Sequence, residues 1–318
     1  KPAATKPEME IDKAESLLHQ LSQYLKDKWG YRLMFGVEVE FYLFNRNSSK
    51  PNQSKSNQIN QNKDSSEQTI SLSEKQLSKF SDLVGVILTK ERGNGQYEFR
   101  TQPLGEIKSI LDLTRGLINK IQSVALLYGW IADFRPKPLE NDYGSALQIH
   151  TSLHQASSGF LTDNLYSIPQ PEVAFTKNSL LTSSIAGTLS LINQSMYLLT
   201  NGADVAHLKR FVPGFMSPVN LSWGFNNRST AIRVPGSSIE FMRFEFRVAG
   251  SGVDVSYVLL VIFTGVLFGL ETNPQLINPT YGNADDDLYT DLERILTNPQ
   301  LIYQQFTFLD LVQNIFKL

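Results

Sequence analysis

Apolar positions recur at Leu17, Leu18, Leu21, Tyr24 and Leu25 within Ile11–Trp29, with Lys and Gln between them. This spacing predicts an amphipathic helix, stopped by Gly30. The period then changes to two. Leu33–Phe44 alternates strictly through Val37-Glu38-Val39-Glu40-Phe41 and predicts a strand. Further on, the pattern predicts a helix near Ser73–Leu83, a strand at Val84–Thr89, a helix at Gly105–Leu127 and a short strand at Trp130–Phe134 before Pro136 and Pro138. Leu147–Leu153 reads as a strand, Leu180–Leu199 as a long helix, and Asn220–Phe225 and Ile239–Val248 as strands. Strands and helices mix without regular βαβ alternation, which favours α+β over a doubly wound sheet.

Two segments break the pattern. From 45 to about 68 the chain turns to Asn, Gln, Ser and Lys, with Ile59 the only aliphatic residue. Such a tract buries too little apolar area to offset its ordering entropy, so a disordered surface insertion is expected. Val255–Leu270 is almost wholly apolar between Asp254 and Glu271. It falls short of the roughly 20 residues that a spanning helix needs, and predicts a core helix of a large domain rather than a membrane segment.

Composition narrows the function classes. With 318 residues and 41% hydrophobic content, the chain has material for a substantial core. Its 29 basic and 31 acidic residues nearly cancel, which argues against binding nucleic acid or a membrane surface through bulk charge. There is no cysteine, hence no disulfide, thiolate metal site or cysteine nucleophile. That absence, with no apolar core of a signal peptide after Lys1-Pro2, gives a cytoplasmic expectation.

The chemistry lies in the strands. Period two puts Glu38 and Glu40 on one face, Gln96 and Glu98 on one face, and the charges of Arg243-Phe244-Glu245-Phe246-Arg247 on one face with both phenylalanines behind. A solvated sheet face with cross-strand ion pairs would give the same pattern on any one strand. Three such strands point instead to clustered carboxylates that need a cation. Oxygen donors favour Mg²⁺ or Mn²⁺, and neighbouring arginines suit phosphate. Carboxylates, divalent metal and arginines together imply phosphoryl transfer from a nucleotide. No Walker-type loop is present, and Gly93-Asn94-Gly95 is only a turn.

At five places the chain resembles the catalytic domain of the glutamine synthetase family. These are Glu38-Val39-Glu40-Phe41-Tyr42-Leu43-Phe44; Glu91-Arg92-Gly93-Asn94-Gly95-Gln96-Tyr97-Glu98; Lys209-Arg210-Phe211-Val212-Pro213-Gly214; Asn227 through Pro235; and Arg243 through Arg247. The resemblance implies one catalytic-domain-like unit over 1–318, a half-barrel of mainly antiparallel strands with flanking helices. It implies ATP, L-glutamate and ammonia or an amine as reactants, two Mg²⁺ or Mn²⁺ sites, and a homo-oligomer. Glu40, Glu91 and Glu98 would hold one metal; Glu38, Gln148 and Glu245 would hold the second. Arg210 and Arg247 would grip glutamate beside Gly144. Arg228, Arg233 and Arg243 would contact nucleotide phosphates, Arg228 taking part in catalysis, with His150 and Ser152 along ATP.

Departures from the family pattern bear on activity. The family's metal-binding histidine is Gln148 here, an amide that is a weaker ligand and loosens the second site. The glutamate expected to collect and deprotonate ammonium is Met216, and general-base catalysis typically contributes 10²–10⁴-fold. Ala249-Gly250 stands where the family usually has Pro-Asp. Only 37 residues precede Glu38, too few for the family's small β-grasp domain, so a chain without that domain is expected. The combined expectation is a divergent glutamate–ammonia or glutamate–amine ligase with weakened activity; the alternative is an inactive relative with a nucleotide-binding or structural role.

Overall fold

The computed structural model describes residues 10–46, 69–157, 163–167, 180–236 and 241–316. Helix α1 (Ile11–Trp29) buries Ala14, Leu18, Leu21 and Leu25, and Gly30 closes it at φ 66°, its N–H donating to the carbonyls of Leu25 and Lys26. Strand β1 (Tyr31–Asn45) follows directly. Helix α2 (Glu74–Val84) starts in a reciprocal cap between Ser73 and Gln76. Then come β2 (Leu88–Lys90), β3 (Gln96–Arg100), α3 (Ile107–Leu127), β4 (Trp130–Asp133) and β5 (Leu147–Gln155). The second half holds α4 (Leu180–Leu199), the short α5 (Val205–Leu208), β6 (Trp223–Phe225), β7 (Ile232–Val234), β8 (Phe244–Phe246), α6 (Val255–Thr272), α7 (Pro299–Gln305) and α8 (Phe308–Phe316).

The eight strands form one open sheet in the order β2-β3-β1-β5-β8-β7-β6, with β4 also paired to β1. All pairs are antiparallel except β6 with β7. The α+β expectation of a mainly antiparallel sheet with flanking helices is met. The odd positions of β1, from Leu33 through Phe41, are at most 2% exposed and face the helices, where Phe35 meets Phe263 of α6 at 6.1 Å between ring centroids. The even positions, including Glu38 and Glu40, take the opposite face.

Helix α6 is the only described helix long and apolar enough to cross a membrane, and it is packed against α4 and α1 as a core helix. Asp254 caps it by accepting from Ser256 N–H, and Arg115 holds the same carboxylate through two nitrogens at 2.7 and 3.0 Å. Its crossing with α4 is close. A Cβ on Gly187 would stand 2.2 Å from the Gly265 carbonyl oxygen, and one on Gly269 would stand 2.0 Å from that of Ser183.

Several expectations need correcting. Val84 ends α2, and Gly85 reverses the chain at φ 82°, so the strand expected at Val84–Thr89 is only Leu88–Lys90. Helix α3 starts at Ile107, where Glu106 caps it, and not at Gly105. Among the described residues, the strands expected at Asn220–Phe225 and Ile239–Val248 pair over only three residues each; 239 and 240 lie outside the described residues. Asn45, placed in the polar insertion, ends β1 in register with Trp130, and Arg46 N–H donates to the Gly129 carbonyl at 3.1 Å; residues 47 to 68 of that expected insertion lie outside the described residues.

Candidate active site

Strand register gathers the charged residues. Glu40 faces Glu98 across β1–β3, Glu38 faces Arg100 on one side and Gln148 on the other, His150 faces Glu245, and Glu245 faces Arg233. Gly36 stands opposite His150, where a Cβ would meet that of His150 in ordinary contact at 3.7 Å. The sequence periodicity and the structure therefore agree on one acidic and basic face.

A cleft at one end of this face is lined by Glu40, Glu91, Glu98, Gln148, Gly144, Arg210, Arg228, Arg247 and Met216. Tyr143 and Phe215 meet edge to face at its rim, with the Lys137 ammonium 4.0 Å above the Phe215 ring. Glu38, His150, Ser152, Arg233, Arg243 and Glu245 continue the face outside the cleft lining. Ser152 lies 2.9 Å from His154 Nε2, within hydrogen-bond distance.

Glu40 is fixed by neutral donors. Its Oε2 accepts from Ala146 N–H at 2.7 Å and from Gln96 at 3.3 Å, and its Oε1 accepts from Gln148 Nε2 at 3.1 Å. Burial, then the charge of Glu91, pushes its carboxyl up to about 7. Glu98 goes up to about 9 through burial and the charges of Glu38, Glu40 and Glu91; burial also raises Glu91. These raised values mark carboxyl groups taken out of water and set beside one another.

The other carboxylates are held by cations. Burial disfavours the Glu245 anion, yet Arg247, His150 and Arg233 hold its carboxyl down to about 2. Arg233 donates to Glu245 Oε2 at 2.6 Å, and Arg247 donates to Oε1. Glu38 is likewise kept below the usual carboxylate range against its burial, chiefly by His150. Arg243 Nε donates to His150 Nδ1 at 3.1 Å, and His150 Nε2 lies 2.8 Å from Glu38 Oε1. Gln148 bridges the two groups, accepting from Arg247 at 3.0 Å while donating to Glu40.

Arg210 is buried and donates to the carbonyls of Val248 and Arg247 at 2.6 and 3.0 Å. A Cβ on Gly144 would stand 2.8 Å from its Cγ, so a side chain there would displace this arginine. Arg247 also reaches the Met216 carbonyl at 3.3 Å, and Met216 sits at φ 57°, left-handed for a residue with a side chain. Arg228 stands exposed at the cleft, in favourable electrostatic range of Glu91. Arg100 was not singled out from the sequence, although its place two residues after Glu98 puts it on the same face. Its Nε donates to Glu98 Oε1 at 2.6 Å and lies 3.0 Å from Glu38 Oε1.

The all-oxygen donor set of Glu40, Glu91 and Glu98 fits a hard divalent cation. Among the described residues, no three Asp, Glu or His side chains converge into a ready-made metal cage. Between Glu38 and Glu98 stands the Arg100 guanidinium.

Fold and site together define a protein of the family described as glutamine synthetase, catalytic domain, whose sequence profile matches residues 14–306; the chain belongs to that family. Among its relatives, γ-glutamylputrescine synthetase PuuA of Escherichia coli is 29% identical over 282 residues, covering 85% of this chain and 57% of that protein. Glutamine synthetase of Pyrococcus horikoshii is 25% identical over 274 residues, covering 83% and 56%. The chain thus spans a little over half the length of these curated relatives. A solved structure of GmaS with ADP superposes at a TM-score of 0.72 and 18% identity, covering 96% of this chain and 70% of that one. This last likeness bears on the fold alone.

Proposed function

We propose that the chain is the catalytic portion of an ATP-dependent ligase joining the γ-carboxyl of glutamate to ammonia or an amine. The observation that carries this reading is the register that brings carboxylates and arginines from β3, β1, β5, β8 and β7 onto one face. Relatives named glutamine synthetase and γ-glutamylputrescine synthetase support the ligase class and both kinds of acceptor.

In this reading Arg210 and Arg247 hold the glutamate carboxylate beside Gly144. Arg247 keeps a buried Nε without a hydrogen-bond partner, a donor that a bound carboxylate would satisfy. Arg228, Arg233 and Arg243 contact the nucleotide phosphates, with His150 and Ser152 alongside, and Arg228 neutralises the transferring phosphoryl group at the cleft. The γ-carboxylate of glutamate attacks the γ-phosphorus of ATP, ADP leaves, and the amine displaces phosphate from the acyl phosphate. Glu40, Glu91 and Glu98, joined by Glu38, Gln148 and Glu245, would hold Mg²⁺ or Mn²⁺, which supplies charge neutralisation at the phosphates when bound.

Met216 supplies no carboxylate to attract ammonium or accept its proton, so slow turnover is expected. Phosphate release dependent on glutamate and ATP, measured with ammonium and a panel of amines including diamines, tests the proposal. Release with any acceptor supports a ligase. ATP binding without release from any acceptor would replace it with an inactive, nucleotide-binding member of the family, a reading that Met216 favours.

A further inference from the structure

We infer that Arg100 is a built-in cation occupying the place of the second divalent metal, so that this site takes one metal ion rather than two. The inference rests on reading the acidic face as a metal–nucleotide site.

Three carboxylates on this face are matched by three guanidiniums. Arg100 sits between Glu98 and Glu38, with Nε at 2.6 and 3.0 Å from their oxygens. Arg233 and Arg247 take one oxygen each of Glu245. Gln148 carries no charge, and its oxygen is turned to Arg247. Of the donors that a metal beside Glu38, Gln148 and Glu245 would use, Glu38 Oε1, both oxygens of Glu245 and the Gln148 oxygen therefore already face N–H groups. By contrast, the hydrogen bonds to Glu40 come from an amide N–H and two glutamine side chains, which leave its charge uncompensated at short range.

The placement of Arg100 follows from the backbone. It is the last residue of β3, directly opposite Glu38 in the ladder and two positions beyond Glu98 on the same face. A cross-strand pair brings its guanidinium to Glu38 whatever else binds. Guanidinium stays protonated at any working pH, so proton loss does not vacate the position. Its side chain is 52% exposed, while those of Glu38 and Glu98 are 13% and 2% exposed. The charge thus reaches inward from solvent and closes over the carboxylates.

Mn²⁺ titration followed by the electron paramagnetic resonance of unbound Mn²⁺ tests this, comparing the purified chain with Arg100→Gln and Arg100→Lys. The parent chain should take up one equivalent. Arg100→Gln should gain a second equivalent, or bind Mn²⁺ roughly tenfold or more tightly, because a like charge has left the ligands. Arg100→Lys keeps a cation in reach and should stay at one equivalent. Because Arg100 is exposed and outside the core, thermal melts should show all three chains folded. Two equivalents of similar affinity in the parent, or an Arg100→Gln titration superimposable on it, would overturn the inference while leaving the metal-site reading intact. No Mn²⁺ uptake by parent or variants would overturn both.

Discussion

Gly187→Ala adds a single methyl group where α4 crosses α6, and the structure sets its cost. The new carbon would lie 2.2 Å from the Gly265 oxygen, 2.4 Å from the Gly269 nitrogen and 2.5 Å from its Cα. All three are backbone atoms of a buried helix, so no rotamer change relieves the clash and the helices must separate by about 1 Å. Overpacking of this kind costs typically about 1–3 kcal/mol, with the upper end expected for backbone against backbone. Alanine returns about 1 kcal/mol of helix propensity. The net expectation is a loss of about 2 kcal/mol. Gly116→Ala is the control: Gly116 lies within α3, exposed, with nothing within 4 Å of the added carbon, so propensity alone should stabilise by about 0.5–1 kcal/mol. Urea unfolding of both variants, compared at unchanged slope, reads the difference. A Gly187→Ala midpoint at or above the parent's would refute the close-crossing argument.

Asp254→Ala removes the α6 cap and leaves Arg115 with Glu15 as its remaining carboxylate, so thermal melting should report a loss of about 1–3 kcal/mol. Stability should also fall on both sides of a mildly acidic optimum. Burial lowers His154 and His207 to about 4, so the unfolded chain binds protons first and stability drops as pH falls from about 6.5 toward 4; His154→Gln with His207→Gln should flatten that arm in urea titrations. Glu40 and Glu98 are raised, so the folded state keeps protons that the unfolded state has lost, and stability drops as pH rises from about 4.5 toward 9. Melting curves with Mn²⁺ should show the alkaline arm shallower than without it; parallel curves would detach Mn²⁺ from these carboxylates.

The long periodic elements were legible because burial enforces period. Ile11–Trp29 has the same ends in sequence and structure, since Gly30 stops it, and the helix expected over 180–199 is there, apolar nearly all round. The alternation in β1 located Glu38 and Glu40 correctly on the site face because its odd positions are core residues. Short pairings were not legible. Gly85 is a local stop signal of the same kind as Gly30, outweighed in the sequence pattern by the β-branched residues around it, and β6, β7 and β8 owe their three-residue ladders to tertiary neighbours. The same holds for charge partners. Arg100 was readable as a face from its spacing, but its meeting with Glu38 depends on a register that only folding sets.

The ladder that builds the site also fixes when the site comes into being. Glu38 meets Gln148, and His150 meets Glu245, across roughly a hundred residues of chain, so these contacts belong to the slow, non-local part of folding. During synthesis β1 is complete long before β5 and β8 exist; β3 and β4 can cover one of its edges first, but until β5 arrives the other edge is an open strand rich in phenylalanine and valine. Such a strand invites pairing with another unfinished chain, and charges at alternate positions oppose that. Glu38 and Glu40 are those charges. While the edge that will receive β5 stands open, the two glutamates act as gatekeepers, and neutralising both would lower the soluble yield of the protein before any question of activity arose.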